Sequence, residues 1–226
     1  MTIKIDFPQP VLFDLENAPA DTKDVLPAIW HALEATTSPN VMDRQAGLDQ
    51  LLAEDVLRVS PLVASVLLMR ISEPDIQLRT RTVHALGEVL LHKTDQIPSY
   101  LVRQHLKHIC LGWKCEHINL LLEVVDQDPL TLDAISALLT LCSQSGKLLS
   151  EIMIDRKVPV VLRQQAIDLI GRVGFLEAIP SLERFVERLT SRSERQKKMP
   201  FAPVNEFSEE ILIANLKKAL LMLQTY

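Results

Sequence analysis

The chain has 226 residues, of which 47% are hydrophobic and 23% are charged, and its net charge is −5 at pH 7. This balance excludes a disordered chain, a collagen-like chain and a disulfide-stabilised miniprotein. The net negative charge argues against a nucleic-acid-binding surface, because such surfaces usually carry a basic stripe.

The start of the chain is the first segment with a distinct pattern. In residues 1–23 the apolar residues alternate with polar ones, and Pro8, Pro10 and Pro19 interrupt the stretch. Proline blocks helix interiors and favours extended geometry in the residue before it. The sequence therefore predicts an extended N-terminal arm over residues 1–23.

From Asp24 onward the pattern is helical, and the low glycine content (6 Gly) favours helices joined by short turns. The apolar residues recur at helical spacing, as in a helix that packs on neighbours. The predicted helices lie near residues 24–36, 40–54, 60–72, 75–92, 98–112, 115–126, 129–144, 147–155, 159–174, 177–192 and 208–224.

The expected helix ends carry capping residues. Asp24, Ser60 and Asp128 are predicted N-caps, and the last two directly precede a proline. Gly146 and Gly174 are predicted C-caps in the left-handed conformation. Two prolines and many charges in residues 193–207 indicate a loop inserted before the last helix.

Parts of the helical region repeat one another. Residues 73–87 read EPDIQLRTRTVHALG, residues 158–171 read VPVVLRQQAIDLIG, and looser copies begin at Pro39 and Asp128. These stretches resemble the second helix of a HEAT repeat, including the HEAT-like units of bilin lyases. Pro61–Leu67 and residues 179–185 are similar to the first helix of such a repeat.

The resemblance implies an all-α fold: an α-solenoid of about five stacked helix pairs in a single domain over residues 24–226. It also assigns a polar ladder between successive units to Arg44, Asp75, Arg79 and Arg163. The second helices, which begin near residues 40, 75, 129, 159 and 208, would form a concave inner surface.

The leading functional hypothesis is a non-catalytic scaffold or adaptor that binds a protein partner on this inner surface. The exposed polar positions predicted to form it are Gln77, Thr80, Arg81, His84, Gln164, Gln165 and Asp168. The chain has no G-x-S-x-G motif, no P-loop and no dinucleotide fingerprint, so we expect neither an enzyme nor a bound cofactor.

A stripe of basic residues is a further candidate site. Arg184, Arg188 and Arg192 are spaced by four and share one helix face. They could receive an acidic partner or phosphates. The alternative is a solvated face, because Glu183 and Glu187 lie beside them.

Histidines and cysteines between residues 105 and 117 suggest a metal site only loosely. The side chains are His105, His108, Cys110, Cys115 and His117. Their spacing matches no standard zinc pattern, and we expect buried cysteines and surface histidines instead. An exposed tryptophan could mark an interface, but Trp30 and Trp113 are both expected in the core.

Compartment and assembly follow from weaker signals. An odd number of cysteines (3 Cys), a start without a signal-peptide pattern and no apolar run of spanning length predict a cytoplasmic protein without a membrane segment. We expect a monomer, with an end-to-end dimer as the alternative. Two further alternatives stay open: a HEAT-like DNA glycosylase or other nucleic-acid-binding enzyme, and a chromophore handler similar to the bilin lyases.

Overall fold

The regular structure in the described part of the molecule is entirely helical. The computed structural model describes residues 22–54, 56–91, 100–197 and 206–225, and every regular element in these ranges is a helix. The prediction of an all-α fold is therefore confirmed. The predicted arm lies outside the described residues up to position 21, and Thr22 already belongs to the first helix.

The chain divides into two compact units, Met1–Cys110 and Leu111–Tyr226. The α-helices of the first unit are α1 (Thr22–Ala35), α2 (Val41–Ala53), α3 (Pro61–Met69), α4 (Ile76–Leu90) and α5 (Tyr100–Cys110). Those of the second are α6 (Cys115–Gln127), α7 (Leu132–Leu141), α8 (Ser145–Ile154), α9 (Val160–Val173), α10 (Ile179–Lys197) and α11 (Glu206–Leu223). Short 3-10 turns occupy Val56–Arg58, Arg70–Ser72, Pro129–Thr131 and Leu176–Ala178.

All the predicted helices are present close to their predicted bounds. The main difference is α10, which runs past residue 192 to Lys197, while α11 begins at Glu206. Both ends of the predicted insertion at 193–207 are thus helical, and its middle, residues 198–205, lies outside the described residues.

Local capping chemistry explains several helix ends. The hydroxyl of Ser60 accepts a hydrogen bond from the Val63 N–H at 3.2 Å, and Asp128 accepts from the Leu130 N–H at 3.0 Å. Gly174 ends α9 with φ 85°, a conformation that costs glycine little. These three predicted caps are confirmed.

Two predicted caps are wrong. Gly146 lies in the first turn of α8, which begins at Ser145, and a side chain at 146 would meet Glu177 of the turn Leu176–Ala178. Asp24 lies inside α1, which begins two residues earlier at Thr22. An aspartate suits the first turn of a helix as well as the N-cap, so the pattern did not separate the two positions.

The repeated arginine occupies one position in three helices. The N-cap and the arginine four residues later are Asn40 with Arg44 in α2, Asp75 with Arg79 in α4, and Pro159 with Arg163 in α9. Arg79 Nε donates to the Glu73 carbonyl at 2.9 Å, and Arg163 Nε donates to the Met153 carbonyl at 2.8 Å. Carbonyls at the end of a helix or turn lack helical partners. In α4 and α9 the repeated arginine therefore ties the helix to the segment before it.

Glu73 connects α2 to the turn before α4. Arg44 donates to its carboxylate from Nε at 3.0 Å and from Nη2 at 2.7 Å, and Arg70 donates at 3.3 Å. The resemblance placed Asp75 in this ladder. Instead the Asp75 carboxylate caps α4 by accepting from the N–H of Gln77 at 2.9 Å, so Glu73 is the partner of Arg44.

Each unit has its own apolar core. In the first, α1 packs on α2 so closely that a Cβ atom on Gly47 would lie 2.6 Å from the Ala32 carbonyl oxygen. In the second, α9 packs on α8 and α11 and also contacts α6 and α7. Gly171 allows this approach, because a Cβ atom there would lie 3.0 Å from the Cα of Ala219.

Candidate functional site

The predicted binding residues of α4 differ in their availability. Gln77 is exposed, whereas Thr80 is buried and its hydroxyl donates to the Ile76 carbonyl at 2.8 Å. Thr80 therefore cannot face a partner, and that prediction is wrong. Arg81 is half-buried and forms an ion pair with Asp49 of α2. His84 is also half-buried.

Arg81 and His84 line a pocket that we name the α2–α4 pocket. It has a volume of about 260 Å³ and lies between α2, the turn Val56–Arg58 and α4. The residues that line it are Leu51, Leu52, Leu57, Arg58, Arg81, His84, Ala85, Glu88 and Val89. An apolar floor with a few polar groups at its edge is typical of a binding site.

The predicted binding residues of α9 mainly contact neighbouring helices. Gln165 lies against α6, where its side-chain amide donates to the Leu122 carbonyl at 2.7 Å and accepts from the Asp126 N–H at 3.2 Å. Asp168 faces Lys218 of α11 at 3.8 Å, and Gln164 is half-buried. Arg172, which the sequence analysis did not single out, pairs with Asp133 of α7 at 2.9 Å. Polar pairs thus join α9 to the helices on both sides.

The three arginines of α10 have different environments. Arg192 pairs with Glu209 of α11 at 2.8 Å, so it bridges two helices. The Arg184 Nε donates to the Pro180 carbonyl at 2.9 Å, and the Arg188 guanidinium lies 4.8 Å from the centre of the Phe185 ring. Arg184 and Arg188 line a second pocket, described below.

The histidines and cysteines do not assemble a metal centre. Among the described residues, no group of three or more His, Cys, Asp or Glu side chains is placed to hold a metal ion. His105 is buried, which lowers its pKa, and the neighbouring His108 lowers it further. His117 accepts a hydrogen bond from the Lys114 N–H at 3.2 Å and stacks beside Trp113.

Cys115 is held as a thiol. Its Sγ donates to the carboxylate of Glu151 at 3.3 Å. Partial burial and the hydrogen bond to Glu151 raise the pKa of the thiol to about 11. A thiolate is the reactive form of cysteine. Cys115 is therefore a poor nucleophile at neutral pH.

The two tryptophans have opposite environments. Trp113 is buried, as expected, but Trp30 is 54% exposed, and its indole N–H donates to Glu34 at 2.7 Å. Position 30 follows the buried Ile29, and the core of α1 continues at Ala32 and Leu33. Trp30 therefore points away from the face that packs on α2, and its expected burial is wrong.

Sequence reasoning missed the residues that complete the α2–α4 pocket. Leu52 and Leu57 come from α2 and the turn after it, and Glu88 comes from the end of α4. No spacing in the sequence relates these positions, since only packing of α2 against α4 brings them together. The pocket therefore became visible only in three dimensions.

Comparison with known proteins leaves the candidate sites to be judged on geometry. No protein-family model, curated protein or solved structure matches this chain. Within the described ranges, no helix is both long enough and apolar enough to cross a membrane.

Proposed function

We propose that the chain is a non-catalytic, cytoplasmic interaction protein built from HEAT-like helix pairs. Packing inside each unit supports the stacking of pairs. In the second unit, α9 contacts its pair partner α8 and the next second helix, α11. In the first unit, α2 contacts α1 and α4 in the same relation. Helical repeats bury their apolar faces through such contacts with neighbours.

The observation that carries the binding function is the α2–α4 pocket. Its volume of about 260 Å³ lies just below the range of small-molecule sites, which is roughly 300–1,000 Å³. It suits one apolar side chain of a protein partner. Arg81, His84 and Glu88 at its edge would then contact polar groups of the partner chain.

A capture experiment tests this function. The tagged protein is used to recover partners from cells that express it, and each partner is then purified and its affinity measured. Leu52→Arg places a charge in the pocket wall, and Leu221→Arg makes the same change at an exposed site on α11. Loss of a buried hot-spot contact costs about 2 kcal/mol or more, so we expect Leu52→Arg to weaken binding roughly 30-fold.

The control and a second substitution complete this test. Leu221→Arg should leave the affinity unchanged. Arg81→Ala should weaken binding by a smaller factor, since Arg81 lies at the pocket edge. If every recovered partner binds the Leu52→Arg protein as tightly as the unaltered one, this pocket is not the binding site.

Two further measurements test the other parts of the proposal. A gel shift with duplex DNA at low salt should show no complex, because the chain is acidic. A tight complex would favour the glycosylase-type alternative instead. Light scattering should give the mass of a monomer, whereas twice that mass would favour the end-to-end dimer.

A further inference from the structure

The second pocket lies where the end of α8 meets the first turns of α10. It has a volume of about 220 Å³ and is lined by Ile154, Ser181, Arg184, Phe185 and Arg188. We name it the Arg184–Arg188 pocket. It therefore combines two guanidinium groups, one hydroxyl group and an aromatic ring. Guanidinium and hydroxyl groups are the donors that proteins commonly use for oxyanions.

The two arginines are held in place, and no carboxylate among the described residues pairs with them. The hydrogen bond to Pro180 orients the Arg184 side chain, and the Phe185 ring supports the Arg188 guanidinium. In the part of the chain that the structure describes, neither guanidinium lies within ion-pair distance of a carboxylate, unlike Arg192 with Glu209. Preorganised, unpaired guanidinium groups favour the binding of an anion.

Further positive charge lies next to this pocket. Arg163 contacts Phe185, with its guanidinium 5.6 Å from the ring centre. Burial lowers the pKa of Arg163 and the charges of Arg156 and Arg188 lower it further, whereas the carboxylates of Glu209 and Asp155 raise it. Arg163 and Arg188 therefore repel each other beside the pocket, Glu209 and Asp155 offset part of this positive charge, and a bound anion would reduce the repulsion that is left.

The anion that fits is compact and doubly charged. Arg192 is paired with Glu209, and Glu183 and Glu187 are exposed beside the other two arginines, so the unpaired positive charge does not continue along α10. A nucleic-acid strand needs such a stripe, whereas a phosphate monoester carries about two charges on one group. The half-exposed Ile154 offers an apolar contact next to the cations.

We propose that the Arg184–Arg188 pocket binds a phosphate monoester, in which the two guanidinium groups and the Ser181 hydroxyl donate to the phosphate oxygens. The monoester belongs either to a phosphorylated side chain of a peptide or to a small phosphorylated compound. This site lies in the second unit and does not depend on the function proposed for the α2–α4 pocket.

The test uses the full chain and three probes at constant ionic strength. The probes are inorganic phosphate, a short phosphoserine peptide and the same peptide without phosphate. Amide and guanidinium NMR signals locate the binding, and titration gives the affinity. We expect the signals of Arg184 and Arg188 to shift with both phosphorylated probes and to stay unchanged with the unmodified peptide.

Matched substitutions on α10 decide whether the pocket is responsible. Both Arg184 and Arg188 are exposed, so their replacement should leave the fold intact, which far-UV circular dichroism checks. Arg184→Gln and Arg188→Gln should each weaken phosphate binding about tenfold or more, as expected for a hydrogen bond between charged groups. Arg192→Gln, on the same helix but paired with Glu209, should leave it unchanged.

The outcomes separate the possible ligands. Tighter binding of the phosphopeptide than of inorganic phosphate identifies a peptide as the source, and equal binding identifies a small phosphorylated compound. No binding of either probe, or binding that ignores both substitutions, would overturn the proposal. A gel shift with duplex DNA that shows tighter binding and depends on Arg184 and Arg188 would overturn it as well. Partner capture through Leu52 is a separate measurement, so the two proposals can fail independently.

Discussion

Removal of the Glu73 carboxylate should destabilise the first unit strongly. The Glu73 side chain is 3% exposed, and those of Arg44 and Arg70 are 13% and 28% exposed. Glu73→Ala leaves both guanidinium groups without their shared partner and also frees the Asp75 N–H, which Glu73 accepts at 3.3 Å. The change therefore leaves partly buried donors without this acceptor and also removes the attraction between the charges.

The expected loss can be estimated from this geometry. Breaking a buried ion pair by removing one partner costs about 3–5 kcal/mol. Arg44 makes the well-aligned, buried contact and accounts for most of that loss. Arg70 is more exposed and adds less, about 1 kcal/mol at most. We therefore expect Glu73→Ala to reduce the free energy of unfolding by about 3–4 kcal/mol.

Urea unfolding followed by circular dichroism measures this loss, and hydrogen exchange in α2 and α4 confirms that it falls in the first unit. Asp49→Ala is the matched control, because it breaks the ion pair with Arg81, whose side chain is 39% exposed. An exposed pair contributes less than about 1 kcal/mol. If Glu73→Ala costs no more than Asp49→Ala, the buried cluster does not stabilise the unit and the reasoning fails.

A double substitution separates the pair from its surroundings. Glu73→Leu together with Arg44→Met replaces the charges by apolar groups of similar size. We expect the double variant to regain most of the stability that Glu73→Ala loses, since buried ion pairs are often replaced by apolar side chains without loss. Equal losses in both variants would show that the charges themselves are required.

Three further predictions concern reactivity, pH and packing. Iodoacetamide should modify Cys115 about tenfold more slowly in the folded than in the unfolded chain, because the raised pKa reduces the thiolate fraction and the higher nucleophilicity of the thiolate offsets only part of that reduction. Glu151→Gln should speed the reaction of the folded protein. Equal rates for the Glu151→Gln variant and the unaltered protein would contradict the role of the hydrogen bond from Cys115 to Glu151. Because the pKa of folded His105 lies below the ordinary value of 6.5, the unfolded state binds the proton first as pH falls, so the free energy of unfolding should decrease below about pH 6.5 by up to about 1.4 kcal/mol per pH unit. Urea unfolding of His105→Gln should show a weaker dependence of this free energy on pH. An unchanged dependence would show that His105 is not the group responsible. Gly47→Ala should destabilise the chain by about 1–3 kcal/mol through a clash with the backbone of α1. Gly146→Ala, whose added methyl group meets mainly the flexible end of an exposed glutamate, should change stability by less than about 1 kcal/mol. Thermal unfolding compares the two variants, and equal losses of stability would contradict this difference.

The sequence by itself determined the helical class, the approximate helix bounds and several caps. These features depend on interactions within a few residues. Ser60 bonds to a backbone N–H three residues away, and Gly174 relieves strain at its own φ angle. The periodic apolar residues likewise select a helix wherever its neighbours lie. The arginine repeat was visible for the same reason, since its N-cap lies only four positions earlier.

Only the tertiary structure decided which distant groups meet. Arg44 could have paired with Asp75 or with Glu73, and the choice followed from Asp75 being held at the N-terminus of α4. Thr80 was expected to be exposed and is buried, whereas Trp30 was expected to be buried and is exposed. Both differences arise because the helix face that packs inward depends on the neighbouring helix. Both pockets combine side chains from separate helices, so their volume and charge arise from packing, which local sequence patterns do not specify.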